Sequence, residues 1–345
     1  MRLYYYKAPK KNFGDDLNPW LFDKILPGYF DNDDKILMSG IGTIIHDDMP
    51  EAQLKIVFTS GAGQGFLPTS FGDKSWHISC VRGPLSASVL GLSQDKAITD
   101  GAILLASLDC FKPLPIEERE GVVFMPHEAC LEYGRWEQVC QSAGIKFLSP
   151  RADLLDNLYA IRSAKLMLAD SMHAAIVADT FRVPWIAVIA SPLMNQFKWL
   201  DWSLSMNLAY RPVIISPSSA SEAAAKSIYA LFGGLYPKGD THENAIASYF
   251  KVFKHDTKFR WELSRKIRKL AILISSKYLL MVQKCFIAKR LEEKYFLKAA
   301  NDLRKLSTQQ GNLSDTDIYK HKIYQLRMKL LDIQTFVEKK LAEGI

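Results

Sequence analysis

Apolar residues in this chain gather into short unbroken runs. Most runs end in a turn of glycine, aspartate or serine that opens a stretch of helical spacing. Arg2 to Tyr6, Lys35 to Gly42, Lys55 to Thr59 and His77 to Val81 are the first, and Ala97 to Ala102 repeats the pattern. Helices are predicted from the turn at Asn12 to about Leu26 and from Arg82-Gly83-Pro84 to about Leu90. Gly121 to Met125, Ile145 to Leu148, Leu166 to Ala169 and Trp185 to Ala190 continue the series of strands. Between them, Tyr133 to Ala143 and Leu154 to Ser163 read as helices. Strands alternating with helices through short turns predict a parallel, doubly wound α/β sheet.

The stretch from Ala164 to Asp179 is the one around which the rest is organised. Leu166 to Ala169 has strand length, Asp170 and Ser171 are good helix N-caps, and Met172, Ala175 and Ile176 recur at helical spacing. His173 is therefore expected in the first turn of a helix, at the carboxyl edge of a strand. Open α/β sheets bind ligands at that edge, and a helix N-terminus offers an anion free N–H groups and a favourable dipole.

Pro113 to Glu120 is polar and proline-bearing, and divides the chain. The expected organisation is a Rossmann-like domain over 1–115, a second over 120–250 carrying His173, and a basic helical extension over 255–345. Two Rossmann-like domains facing a cleft make a GT-B-like layout. The glycines at 61, 63 and 65 miss the G-x-G-x-x-G spacing, which argues against a dinucleotide enzyme.

Charge sharpens that division. From His255 onward there are 20 Lys/Arg against 10 Asp/Glu, and the preceding residues hold 24 against 27. The body has no basic excess, so nucleic acid is not an expected partner. In the extension, apolar runs at Leu270–Ile274, Tyr278–Val282 and Phe286–Ile287 are broken by Lys277 and Lys284, which disfavours a membrane span. Gln309 to Asn312 is a turn before a last helix, so an antiparallel helical hairpin or coiled coil is expected. Its first arm, with Leu270, Ile274, Leu280 and Phe286, suits either an anionic membrane surface or self-association. Five cysteines without a C-x-x-C pair, and an N-terminus too short in apolar residues for a signal peptide, point to a reduced cytoplasmic protein without a structural metal.

Asn195 to Trp202 places Phe197, Trp199 and Trp202 beside Lys198 and Asp201. This is either a helix with core-facing rings or a carbohydrate platform, with Trp199 against the apolar face of a sugar.

The turns, taken in order, carry a resemblance. Asn12-x-Gly14-Asp15 follows the first strand, Val81-Arg82-x-x-x-Ser86 the fourth, and Asp100-Gly101-Ala102 the fifth run. Pro126-His127 opens the second half, and Ser171-Met172-His173-Ala174 closes the set. In this order the motifs resemble those of the polysaccharide pyruvyl transferase family, closest to its exopolysaccharide, succinoglycan-type branch, over roughly residues 1–200. The resemblance implies transfer of the enolpyruvyl group of phosphoenolpyruvate onto a sugar residue as a pyruvate ketal, without a cofactor. The implied acceptor is a repeat unit, carried on a lipid-linked oligosaccharide at the inner membrane face.

In that chemistry the enol carbon must be protonated, a hydroxyl must lose a proton, and a donor bearing carboxylate and phosphate needs fixed cations. His173 is the expected general acid, and Arg82 the expected grip on the donor, since its fork suits both anions. Some family members carry arginine where Ser171 stands. A second cation is then sought among Arg162, Lys165 and Arg151. His127 is expected to orient an oxygen or act as a second acid or base. Asp15 and Asp100 are candidate bases whose simpler roles are capping and turn formation, and Asn12 and Gly14 shape the first turn. Two other readings compete: a GT-B glycosyltransferase using a nucleotide sugar, and a non-catalytic scaffold of a polysaccharide-assembly complex.

Overall fold

The computed structural model of the protein describes residues 1–31, 33–191, 193–231, 236–282 and 286–345, excluding the side chains at 255, 276, 279–282 and 286–288. Two parallel sheets form its frame. In the first half, β1 (Arg2–Tyr4) leads into helix α1 (Phe13–Ile25) and is followed by β2 (Ile36–Ser39), β3 (Leu54–Phe58), β4 (Trp76–Cys80) and α2 (Pro84–Val89). The strands lie side by side in chain order. The predicted fifth strand shrinks to a single bridge between Val81 and Ala97, and a 3₁₀ run occupies Gly101–Ser107. The reason is local: Asp100 caps that run by accepting a hydrogen bond from Ala102 N at 3.0 Å.

In the second half β5 (Val122–Met125), α3 (Trp136–Ala143), β6 (Lys146–Phe147), α4 (Leu154–Arg162), β7 (Leu166–Ala169), α5 (Met172–Thr180), β8 (Trp185–Ile189), α6 (Gln196–Ser205) and β9 (Val213–Ile214) alternate as the pattern predicts. Their order is β6-β5-β7-β8-β9, all parallel. The direction of winding reverses between β5 and β7, and a doubly wound sheet opens its ligand crevice at such a switch point. β9, only two residues long, carried no periodic signal.

The halves share apolar packing. Phe13, Leu17 and Phe58 of the first belong to the same core as Met125, Met167 and Val177 of the second. The segment between them is pinned as well. The buried Arg119 donates to the carbonyl oxygens of Leu114 and Arg182.

Among the described residues five α-helices follow: α7 (Ala220–Leu231), α8 (His242–Val252), α9 (Lys258–Val282), α10 (Phe286–Leu306) and α11 (Thr316–Ala342). The expected antiparallel hairpin or coiled coil is not what their apolar faces build. Ala299, Ala300 and Leu303 of α10 enter the core of the second sheet, and α10 packs on α3 and α7. Leu326, Leu330, Ile333 and Val337 of α11 enter the shared core. Before α11, Asn312 pairs with Trp185 in a two-residue bridge. The buried carboxylate of Asp179, on α5, accepts from Ser314 N at 2.8 Å, Ser314 Oγ at 2.5 Å and Trp185 Nε1 at 3.2 Å. Among the described residues no helix is long and apolar enough to cross a membrane. Cys80, Cys110, Cys130 and Cys140 are free thiols, and Cys285 lies outside the described residues.

Candidate functional site

The switch point is where the motifs meet. A cleft of about 240 Å³ is lined by Asn12 and Asp15 from α1 and its cap, Thr43 and His46 from the loop after β2, His127 after β5, Ser171 and His173 at the start of α5, and Lys198 on α6. Residues from three of the five motifs thus reach one space.

His173 is held by its neighbours' sizes. Its Nδ1 lies where the Cβ of any larger residue at position 14 would stand, 1.9 Å from that atom, so glycine there is a packing requirement. Its Nε2 faces Asp100 Oδ2 at 3.8 Å. Neither of these two buried atoms has a hydrogen-bond partner among the described residues. The gap is too long for a hydrogen bond, so the pair stands aligned but unmade. Burial pushes Asp100 up to about 6, against the Ala102 N–H and the Arg82 charge. Burial pushes His173 down to about 3, and Lys198 and Arg82 push the same way. The ring is therefore held as a neutral imidazole. Burial, helped by the two nearby cations, wins over the single facing carboxyl.

Asp170 departs from its expected role as N-cap. Ser171 takes the N-cap position and makes no side-chain capping bond, which leaves the first N–H groups of α5 open. Asp170 instead ties strand ends together: Oδ2 accepts from His127 N at 2.9 Å, and Oδ1 from Ala190 N at 3.1 Å and Ser191 N at 3.3 Å. It thereby fixes the carboxyl ends of β5, β7 and β8. His127 caps the short turn after β5, its Nδ1 accepting from Ala129 N at 3.2 Å. Burial, with Lys198 adding, holds it neutral, down to about 3.

Asp15 gains its chemistry from the same desolvation. Its carboxyl is pushed up to about 7 by burial, which the Lys198 charge opposes and Asp16 and Glu128 reinforce. Asn12 is the cap of α1, its Oδ1 accepting from Gly14 N at 3.1 Å.

The cations fall out differently from the expectation. Arg82 is fully buried behind the cleft: Nε donates to Asp201 at 3.0 Å and Nη1 to Thr43 Oγ1 at 2.7 Å, and Thr43 is the residue that reaches the wall. Arg162 donates to the carbonyl oxygen of Lys112 at 2.7 Å, away from the cleft. Lys165 immediately precedes β7, at the opposite end of the strand from His173, so strand direction alone removes it. Arg151 supports the wall from behind by pairing with Glu128 and Glu132. The cation in the wall is Lys198, which makes no hydrogen bond or ion pair through Nζ among the described residues. Burial lowers it to about 8, with Arg82 adding and Asp15, Asp170 and Asp100 opposing. Its only sequence signal was a charge among aromatics on a capped helix.

The carbohydrate platform is not there. Trp199 is fully buried, its ring centroid 6.3 Å from those of Trp185 and Trp202 and 5.5 Å from that of Tyr210. An eight-residue aromatic run on a helix that crosses between the halves is needed as core. One grouping among the described residues has the spacing to hold a metal ion, His46 with Asp47 and Asp48, and Lys258 already pairs with Asp47.

No protein-family model matches the chain. Over 237 residues it is 39% identical to the succinoglycan biosynthesis protein ExoV of Rhizobium meliloti, an alignment covering 68% of this chain and 73% of that relative.

Proposed function

Because the chain belongs to the succinoglycan-type branch of the polysaccharide pyruvyl transferases, we propose that its cleft transfers the enolpyruvyl group of phosphoenolpyruvate to a sugar residue of an exopolysaccharide repeat unit. The product is a ketal on two hydroxyls, and phosphate is released. The observation that carries this reading is the unpaired Lys198 in one cleft with a carboxyl at about 7 and a neutral histidine. The similarity favours neither a nucleotide-sugar glycosyltransferase nor a scaffold.

The donor brings a carboxylate and a phosphate. Lys198 and the open N–H groups at the start of α5 supply the opposing charge and hydrogen-bond donors. Asp15, half protonated near neutral pH, is the group that can give a proton to the methylene carbon of the donor. The adjacent carbon then becomes an oxocarbenium-like centre, which the first sugar hydroxyl attacks. His173, neutral and facing Asp100, takes that hydroxyl's proton. Phosphate leaves with the proton that His173 gained, and the second hydroxyl closes the ketal as its proton returns to the Asp15 carboxylate. His127, neutral with Nδ1 engaged, suits orientation of an oxygen through its other nitrogen. In this reading the two halves act as a GT-B-like pair around the cleft, and the acceptor is a lipid-linked oligosaccharide at the cytoplasmic membrane face.

The test is incubation with phosphoenolpyruvate and repeat-unit oligosaccharides. Phosphate release together with the mass of an added ketal-bound pyruvate is the expected result. Turnover of a nucleotide sugar in place of phosphoenolpyruvate would overturn the reading.

A further inference from the structure

Among the described residues, helix α9 rests on the protein by one face. Ile272 on that face is buried, and α7 is the element packed against it. The opposite face is apolar and open. Phe259, Leu263, Ile267, Leu270 and Ile274 follow one another at steps of three and four residues, which aligns them in one stripe. Phe259 is 74%, Leu270 57% and Ile274 60% exposed. Isolated exposed leucines are ordinary, but a continuous stripe over four turns is not. Leu280 and Phe286, expected to extend it, lie outside the described side chains.

The charges on the same helix name its occupant. Between residues 258 and 282 there are seven Lys/Arg and one acid, Glu262. Arg265, Lys266, Lys269 and Lys277 are exposed around the stripe. A second copy of the chain docked here about a two-fold axis would set these like charges against each other. An anionic surface with an apolar interior satisfies both features at once. The helix is also anchored beside the cleft: Lys258 pairs with Asp47, the neighbour of His46 in the cleft wall, and Trp261 packs edge-on against Phe66 at 5.8 Å.

We propose that the outer face of α9 is the surface by which this protein lies on an anionic phospholipid bilayer. The lysines and arginines sit among the headgroups, and the stripe from Phe259 to Ile274 at the acyl boundary. The purpose of this contact rests on the reading of the acceptor as lipid-carried, since it brings the cleft to the plane where such an acceptor resides.

The experiment is flotation of the full chain with vesicles of phosphatidylglycerol and phosphatidylcholine, and with phosphatidylcholine alone, at low and high salt. Binding to the anionic vesicles at low salt, lost at high salt, is the expected result. Lys266→Glu/Lys269→Glu and Leu270→Glu/Ile274→Glu should each weaken it roughly tenfold or more. Unchanged thermal melts would show that both variants fold. Phosphate release with a water-soluble acceptor should stay at the parent level in both, which separates this surface from the chemistry of the cleft. Failure of the parent chain to float with anionic vesicles overturns the proposal. So does a loss of self-association in the stripe variant with vesicle binding intact, which would make a second copy the occupant.

Discussion

Arg82 Nε donates to Asp201 Oδ2 at 3.0 Å, and neither side chain reaches solvent. Asp201 also accepts from Ser86 N at 2.9 Å and Ser86 Oγ at 2.5 Å, so the motif arginine and the motif serine share one carboxylate. That carboxylate is on α6, three residues beyond Lys198. Arg82 therefore acts on the cleft through the helix that carries its cation.

Removing one partner of a buried pair leaves the other charge stranded. Arg82→Ala should lower unfolding free energy by about 3–5 kcal/mol, measured by urea denaturation. Arg82→Lys should recover only part of it, because a single ammonium cannot serve Asp201 and Thr43 together. A variant of parental stability with only a raised KM for the donor would restore the direct-grip assignment.

Gly14→Ala places a methyl group on His173 Nδ1. The ring must swing away, and turnover should fall by about the factor that loss of a general base costs, 10²–10⁴, with the fold retained. In a His173→Ala background the same substitution should cost nothing further. Independent, additive losses would show that Gly14 serves some other purpose.

The pH profile follows from the two shifted groups in the wall. Asp15 gives its proton only below about 7, and Lys198 keeps its charge only below about 8. Activity should therefore fall on the alkaline side across that interval, as one coupled limb. Lys198→Arg should remove the upper component, and Asp15→Asn should lower the rate about 10²–10⁴-fold.

Stability moves with the histidine in the opposite sense to the carboxyl. His173 titrates at 6.5 when unfolded and about 3 when folded, so the unfolded chain binds the proton between those values and stability falls as pH drops through them. Asp15, raised from 3.8 to about 7, contributes stability that is lost as pH rises through that window. His173→Gln should accordingly lose less stability than the parent chain between pH 6.5 and 4, as read from thermal melts. Equal losses would mean that the ring is solvated in the folded state.

Trp199→Phe tests the aromatic run. The ring has no exposed face, and its Nε1 has no partner among the described residues, so the KM for any acceptor should not change. A rise in acceptor KM at unchanged stability would return Trp199 to the binding surface.

The sequence was most readable where local rules and tertiary demands agree. Leu166–Ala169 followed by a capped helix with His173 in its first turn is what the structure contains, because strand length, capping and helical spacing all act within that segment. Asn12, Asp15, His127 and His173 share the cleft because each lies just past the carboxyl end of a parallel strand, or at the cap that follows. What the sequence did not disclose depends on distant partners. Arg82 looked available because Asp201, 119 residues away, could not be seen to claim it. Lys198 was hidden by its aromatic neighbours, whose burial is what desolvates it. Nor did the extension's apolar spacing say which partner each helix would find, so α10 and α11 became parts of the core while α9 kept a long open apolar stripe.

The far end of the His173 helix depends on Ser314, since Asp179 accepts both its amide and its hydroxyl proton. Those two residues are 135 positions apart. At a synthesis rate of about 5–20 residues per second, Asp179 emerges from the ribosome on the order of ten seconds before its partner. Throughout that interval a carboxylate destined for the interior has two of its three donors still unmade. A competent cleft is thus a property of the finished chain. A product arrested before Ser314 would hold every motif of the site and still lack what seats its central helix.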